Sequence, residues 1–194
     1  MPKPAERAND RPDLLELVPA AVASTEAILA DASAQLRMRL APGGRVSAEA
    51  LDHEQHAAHG LAWLATYVEG LRQLGAYARR LADAGRLGAQ EETLVAIGFG
   101  EYLAQIFGGI PMSQHEIARL SALGVSEERI ASRLTDSVRQ LIAYGTAPQT
   151  RARFMSEIEN AELWAAPGRS DLDETLEAMR AAMHRFAEER VEPH

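Results

Sequence analysis

Leu61, Leu64, Val68, Leu71 and Leu74 follow one another at steps of three and four. That is the period of one face of a helix, and no stretch of the chain alternates as a half-buried strand would. Alanine, leucine, glutamate and arginine dominate, all good helix formers, while β-branched residues are sparse and scattered. The expected fold class is all-α, a helical bundle.

The first helix is expected from about Asp13, an N-cap after Pro12, to about Leu40, with Pro19 starting or kinking it. "APGG" at Ala41–Gly44 breaks the chain. Ser47 then caps one long helix that runs to Gly85, a C′ glycine. Trp63, Tyr67, Tyr77 and Leu81 widen its apolar face, and Glu69, Arg72, Arg79 and Arg80 fall elsewhere. A third helix, about Glu91 to Phe107, is apolar nearly all round and belongs in the middle of a bundle. Gly98 and Gly100 each cost it about 1 kcal/mol relative to alanine, so close approach of a neighbour is the expected compensation. "SEERIASRLTDSVRQLIAYG" reads as one helix, capped by Ser126 and stopped by Gly145. Another spans about Thr150 to Ala165. The last follows Ser170, with Asp173 three residues on in a capping-box pattern. These breaks suggest an N-terminal helix and linker over 1–46, a bundle over 47–168 and a separate terminal element over 169–194. A chain that ends at Pro193-His194, directly after an amphipathic helix, looks cut rather than finished.

Composition removes several function classes. A net charge of -8, with arginines spread along the helices, argues against a nucleic-acid surface. The absence of cysteine excludes disulfides, zinc–thiolate sites and thiol nucleophiles. "MPKPAERANDRPD" has no apolar core, so it is neither a secretory signal nor an anchor. No apolar run approaches the roughly 18–20 residues needed to span a bilayer. A cytoplasmic protein is expected.

Few residues offer chemistry. His53, His56 and His59 lie three apart, which on a helix turns the outer two about 120° from each other. That suits a polar helix face or packed imidazoles better than one metal ion, and neither the zincin pattern nor a Glu-x-x-His di-iron pair is present. Glu101 is the one charge of its helix beyond the opening Glu91 and Glu92. It is either a general base with a raised pKa, or a carboxylate that pairs with an arginine across the bundle or faces a solvent seam. No Ser-His-Asp arrangement, Gly-x-Gly-x-x-Gly or Walker loop can be argued.

"QIFGG", Gln105 to Gly109, resembles the Gln-x-x-Gly-Gly segment of the C-terminal helical domain of acyl-CoA dehydrogenases. "LAWLATYVEGLRQLGAYARRLADAG" is similar to that family's long helix, and "ETLVAIGFGEYLAQIFGG" to the helix that enters the break. The wider string "DHEQHAAHGLAWLATYVE…IGFGEYLAQIFGGIPMSQHEI" resembles a branch with an N-terminal helical extension, acting on a short branched dicarboxylyl-CoA. "MHRFAEERVEPH" is similar to the first helix of the family's core. The likeness covers about Asp52 to Ile117 and the terminal helix well, and the first fifty residues poorly.

The resemblance implies FAD in the parent enzyme, with Gln105, Gly108 and Gly109 as the residues facing it. The family's motif continues Gly-Gly-x-Gly-aromatic, whereas this chain reads Gly108-Gly109-Ile110-Pro111-Met112. Proline removes an N–H and fixes φ, which favours a helix stop without a full nucleotide contact. Nothing matches the family's β-domain or its catalytic glutamate. The implied role is structural: a pseudo-repeat of the C-terminal bundle packed on the catalytic core in cis. There it would occupy surface that a second dimer uses in tetrameric members. A homodimer and an electron-transfer flavoprotein are the implied partners of the parent enzyme, and this segment alone is expected to bind no cofactor. The alternative is a stand-alone, non-catalytic helical scaffold or partner-binding subunit.

Overall fold

Aspartate at the start of the first helix behaves as its residue type dictates. In the computed structural model, which describes residues 11–160 and 172–192, the Asp13 carboxylate accepts from the N–H groups of Leu15 and Glu16. The helix it caps, α1 (Leu14–Leu40), runs unbroken through Pro19. Pro19 is exposed, so the carbonyl it leaves without a partner lies on the side that water can reach.

Ser47 caps the next helix as expected, accepting from the Ala50 N–H. The long helix is nevertheless two: α2 (Ala48–His53) and α3 (Gln55–Asp83), separated at Glu54. Arg39 of α1 binds the Glu54 carboxylate at 2.9 Å, and the Ser47 N–H donates to Leu40 O, so α2 folds back on the end of α1. Leu64, Val68, Leu71, Ala78 and Leu81 of α3 are buried, the stripe read from the sequence, with Leu61 and Leu74 at its edge. Gly85 (φ +63°) closes α3 with the paired bonds of a Schellman turn, Gly85 N–H to Ala82 O and Arg86 N–H to Leu81 O.

The helix α4 (Ala89–Gly108) packs against α1, α3, α6 and α7, which places it in the middle as its composition demands. Val95, Ala96, Phe99 and Leu103 are wholly buried in it. After α4 a two-residue pair, β1 (Ile110–Pro111) and β2 (Ile117–Ala118), forms an antiparallel hairpin that the all-helical reading did not foresee. The single helix expected over 126–145 is likewise two, α5 (Glu127–Arg133) and α6 (Asp136–Gly145). Ser126 caps the first. Thr135 starts the second by accepting from Val138 N–H, and the Ser24 hydroxyl of α1 donates to the freed Arg133 carbonyl.

The next helix, α7 (Pro148–Asn160), begins two residues before the expected Thr150. Proline suits a first helical position, and the Thr150 hydroxyl instead donates to Tyr144 O at 2.6 Å. The expected end at Ala165, the boundary at Ala165–Asp171 and Ser170 lie outside the described residues. In α8 (Glu174–Arg190), Asp173 is itself the N-cap, accepting from Leu176 N–H, rather than the third residue of a box. No described helix is long and apolar enough to cross a membrane.

Glycines decide how closely the central helices approach. A Cβ on Gly100 would lie 2.6 Å from Gly145 Cα, so α4 and α6 cross backbone to backbone. Gly145 is therefore a contact residue at the end of α6 as well as its last residue. A Cβ on Gly98 would meet Leu74 Cδ2 at 2.6 Å. Gly70, by contrast, is exposed and has only ordinary contact with Tyr102. Urea unfolding is expected to show Gly100→Ala less stable by about 1–3 kcal/mol. Gly70→Ala is expected to gain about 0.5–1 kcal/mol, because there only helix propensity changes.

Candidate functional site

The corner at the end of α4 is where the sequence placed its candidate residues. Gln105 lies one turn before the end and is half-buried. Its side-chain Oε1 accepts from the Tyr67 hydroxyl of α3 at 2.6 Å. Tyr67 and Tyr102 sit with ring centroids 4.6 Å apart, Trp63 meets the edge of Tyr67, and Trp63 Nε1–H donates to His59 Nε2. Partial burial first, and the neighbouring Tyr102 second, raise the Tyr67 phenol above its ordinary value, so it remains a donor to Gln105.

The glycine pair divides into unlike halves. Gly109 has φ +127°, and a Cβ there would lie 2.5 Å from Ile117 Cγ2 and 3.2 Å from the Arg119 guanidinium. Only glycine adopts that backbone and admits that neighbour. Ile110 can then turn inward, 2% exposed, and pair with Ala118, while Pro111 faces solvent. Gly108 is exposed, and a Cβ on it would meet nothing. Its carbonyl accepts from Arg119 Nη1 at 3.1 Å.

The fit to a flavin pyrophosphate can be judged from donors and charge. The Gly109 N–H is spent on Gln105 O at 2.7 Å, the Met112 N–H on Glu116 O at 2.8 Å, and Pro111 has none. A helix C-terminus carries the negative end of the dipole, which repels phosphate rather than holding it. Gln105 has given its oxygen to Tyr67 and keeps only its amide N–H groups. As folded here, the corner is not a phosphate cradle.

The other candidates are brought no closer to chemistry. His53 ends α2 while His56 and His59 sit on α3, so the break at Glu54 lies between them. No group of ligating side chains that could hold a metal occurs among the described residues. Glu101 pairs with Arg151 of α7, whose Nη1 also donates to Thr146 O. Of these readings of Glu101, the structure shows the arginine partner across the bundle. Sequence spacing missed Tyr67, Tyr102 and Arg119, the residues that hold this corner. Tyr67 lies on another helix and Arg119 beyond the hairpin, while Tyr102, one turn before Gln105 on α4, reaches the corner only through its ring contact with Tyr67.

No family model matches the chain. Among curated proteins it is 47% identical over 182 residues to (2S)-methylsuccinyl-CoA dehydrogenase of Cereibacter sphaeroides. The resemblance to an acyl-CoA dehydrogenase is borne out. The match takes in 94% of this chain and 32% of that enzyme, so the chain spans about a third of the length of its relative.

Glycine should therefore matter at one position of the pair and not at the other. Gly109→Ala is expected to lower the melting temperature by several degrees, from strain of about 1–3 kcal/mol, and Gly108→Ala to leave it unchanged or slightly higher. Tyr67 should give a pH signature. With its folded pKa above the ordinary 10.0, its contribution is complete below about pH 10 and is lost as pH rises through the folded value. Stability measured from pH 9 to 11 should therefore fall more steeply in the native chain than in Tyr67→Phe. Below pH 9 that variant should be weaker by about 0.5–1.5 kcal/mol for the lost hydrogen bond.

Proposed function

We propose that this chain is the N-terminal helical portion of an FAD-dependent acyl-CoA dehydrogenase that oxidises a short branched dicarboxylyl-CoA such as methylsuccinyl-CoA. Its role in that enzyme is to pack as a bundle on the catalytic core, with residues 169–194 opening the core. Identity of 47%, running over nearly the whole chain and over only a third of the relative, carries this reading. The internal chemistry agrees with it. Glu101, the candidate base, is held in an ion pair with Arg151.

In this reading the flavin supplies hydride acceptance in the core, and the α-proton is removed there too, by residues outside this chain. The family's glycine pair survives here for its geometry. Gly109 turns the end of α4 into the hairpin, and Tyr67 and Arg119 fasten that turn to the bundle. The parent enzyme works as a cytoplasmic homodimer and hands its electrons to an electron-transfer flavoprotein. The bundle covers surface through which dimers would otherwise pair.

Complementation tests the assignment. The Cereibacter enzyme is truncated by the third that this chain matches, and the chain is supplied as a separate polypeptide. The chain alone is expected to be colourless. Mixed with the truncated enzyme, it should co-elute with the yellow fraction and restore the native assembly size and dehydrogenase activity. A truncated enzyme that keeps its native assembly size and activity, with no binding of the chain, would refute the packing role.

A further inference from the structure

The helix α7 is attached differently from the helices around it. Among its described side chains only Thr150 is buried, while Phe154 and Ile158 are half-covered and Met155 is exposed. The neighbouring α6, although shorter, sinks Val138 and Leu141 completely. Apolar stabilisation scales with the area removed from water, so α7 gains less from it than α6 does.

Polar contacts take up the difference, and they gather towards the two ends of α7. At the start, the Thr150 hydroxyl donates to Tyr144 O at 2.6 Å, and Arg151 Nη1 donates to Thr146 O at 2.9 Å. Arg151 also pairs with Glu101 of α4. Towards the far end, Arg11 reaches in from ahead of α1. One of its nitrogens binds Glu157 at 2.8 Å and the other binds Glu92 of α4. Glu92 lies in the first turn of α4 and Glu101 in its second half. The helix α7 therefore runs back along α4, against which it chiefly rests.

The two ends are not equally firm. The first turn is tied to backbone carbonyls at the end of α6, and only Thr146 and Ala147 join the two helices. The far end depends on one guanidinium shared by carboxylates of two helices. The second oxygen of Glu157 is buried with no hydrogen-bond partner. Closing that end thus carries a desolvation cost that Arg11 offsets only in part. Partly exposed ion pairs contribute little in water, and added salt weakens them further. Segments with few buried apolar contacts open ahead of the core.

We propose that α7 is a strap, hinged at Thr146 and Ala147 and latched by Arg11, that lifts from α4 while α1 to α6 stay folded. Ionic strength sets how often it lifts. The device is built from residues of this chain alone and does not require the flavoenzyme reading.

Hydrogen exchange of the 194-residue chain, followed by mass spectrometry at about 0.05 M and about 1 M sodium chloride, tests the strap. At low salt the amides of 151–158 are expected to exchange about tenfold or more faster than those of α4. Raising the salt should speed 151–158 by about threefold to tenfold relative to α4. Arg11→Gln should show the faster exchange already at low salt and lose most of the salt effect. Arg11→Lys, which keeps the charge, should retain that effect. Arg72→Gln, which breaks a pair internal to α3, should leave 151–158 unchanged. Three results would overturn the proposal: α7 as protected as α4, salt speeding both helices alike, or Arg11→Gln exchanging like the native chain.

Discussion

Where α4 crosses α6, Gly100 faces Gly145 with no side chain between them, and a single added carbon on Gly100 would fall 2.6 Å from the facing backbone. That close crossing lets α4 touch α1, α3, α6 and α7 at once. Phe99 and Leu103, one on each side of Gly100, are wholly buried because those neighbours are near enough to cover them. Close-packed interiors transmit such a constraint, because a helix moved outward leaves gaps along its whole length. The arrangement of the other helices follows from that central approach.

The same economy governs the end of α4. Gly109 takes a backbone conformation that other residues resist, and the chain turns within two residues into the pair of Ile110 with Ala118. Tyr67 reaches across from α3 to Gln105, and Arg119 reaches back to the Gly108 carbonyl. The backbone N–H groups of Gly109 and Met112 are thus engaged within the chain. A motif can outlive one use when its geometry serves another, and the Gly-Gly break here is explained by the turn it makes.

Much of this was legible from residue type and spacing, for identifiable reasons. Asp13, Ser47 and Ser126 cap helices because their side chains replace missing backbone partners, a local effect that sequence displays directly. The buried stripe of α3 and the central position of α4 followed from periodicity. The breaks at Glu54 and Leu134 were missed because their causes are not local. Arg39 pulls on Glu54 from α1, and Ser24 of α1 serves the carbonyl freed at Arg133. The Thr135-Asp136 start was visible but overshadowed by the good helix formers on either side. At the candidate site the glycines were legible, while Tyr67 lies 38 residues away from the glutamine it binds. Pairing of that kind depends on the crossing of two helices, which spacing alone does not encode.

The chain's helices form a closed core of their own, yet its likeness to a dehydrogenase extends over only a third of that enzyme. On the proposed function, this bundle lies against the remainder of such a dehydrogenase. Amide hydrogen exchange of the chain, alone and mixed with the relative lacking the matched third, measures this most directly. The account predicts slowed exchange along one continuous surface of the bundle only when the partner is present. Identical exchange in both samples would contradict it.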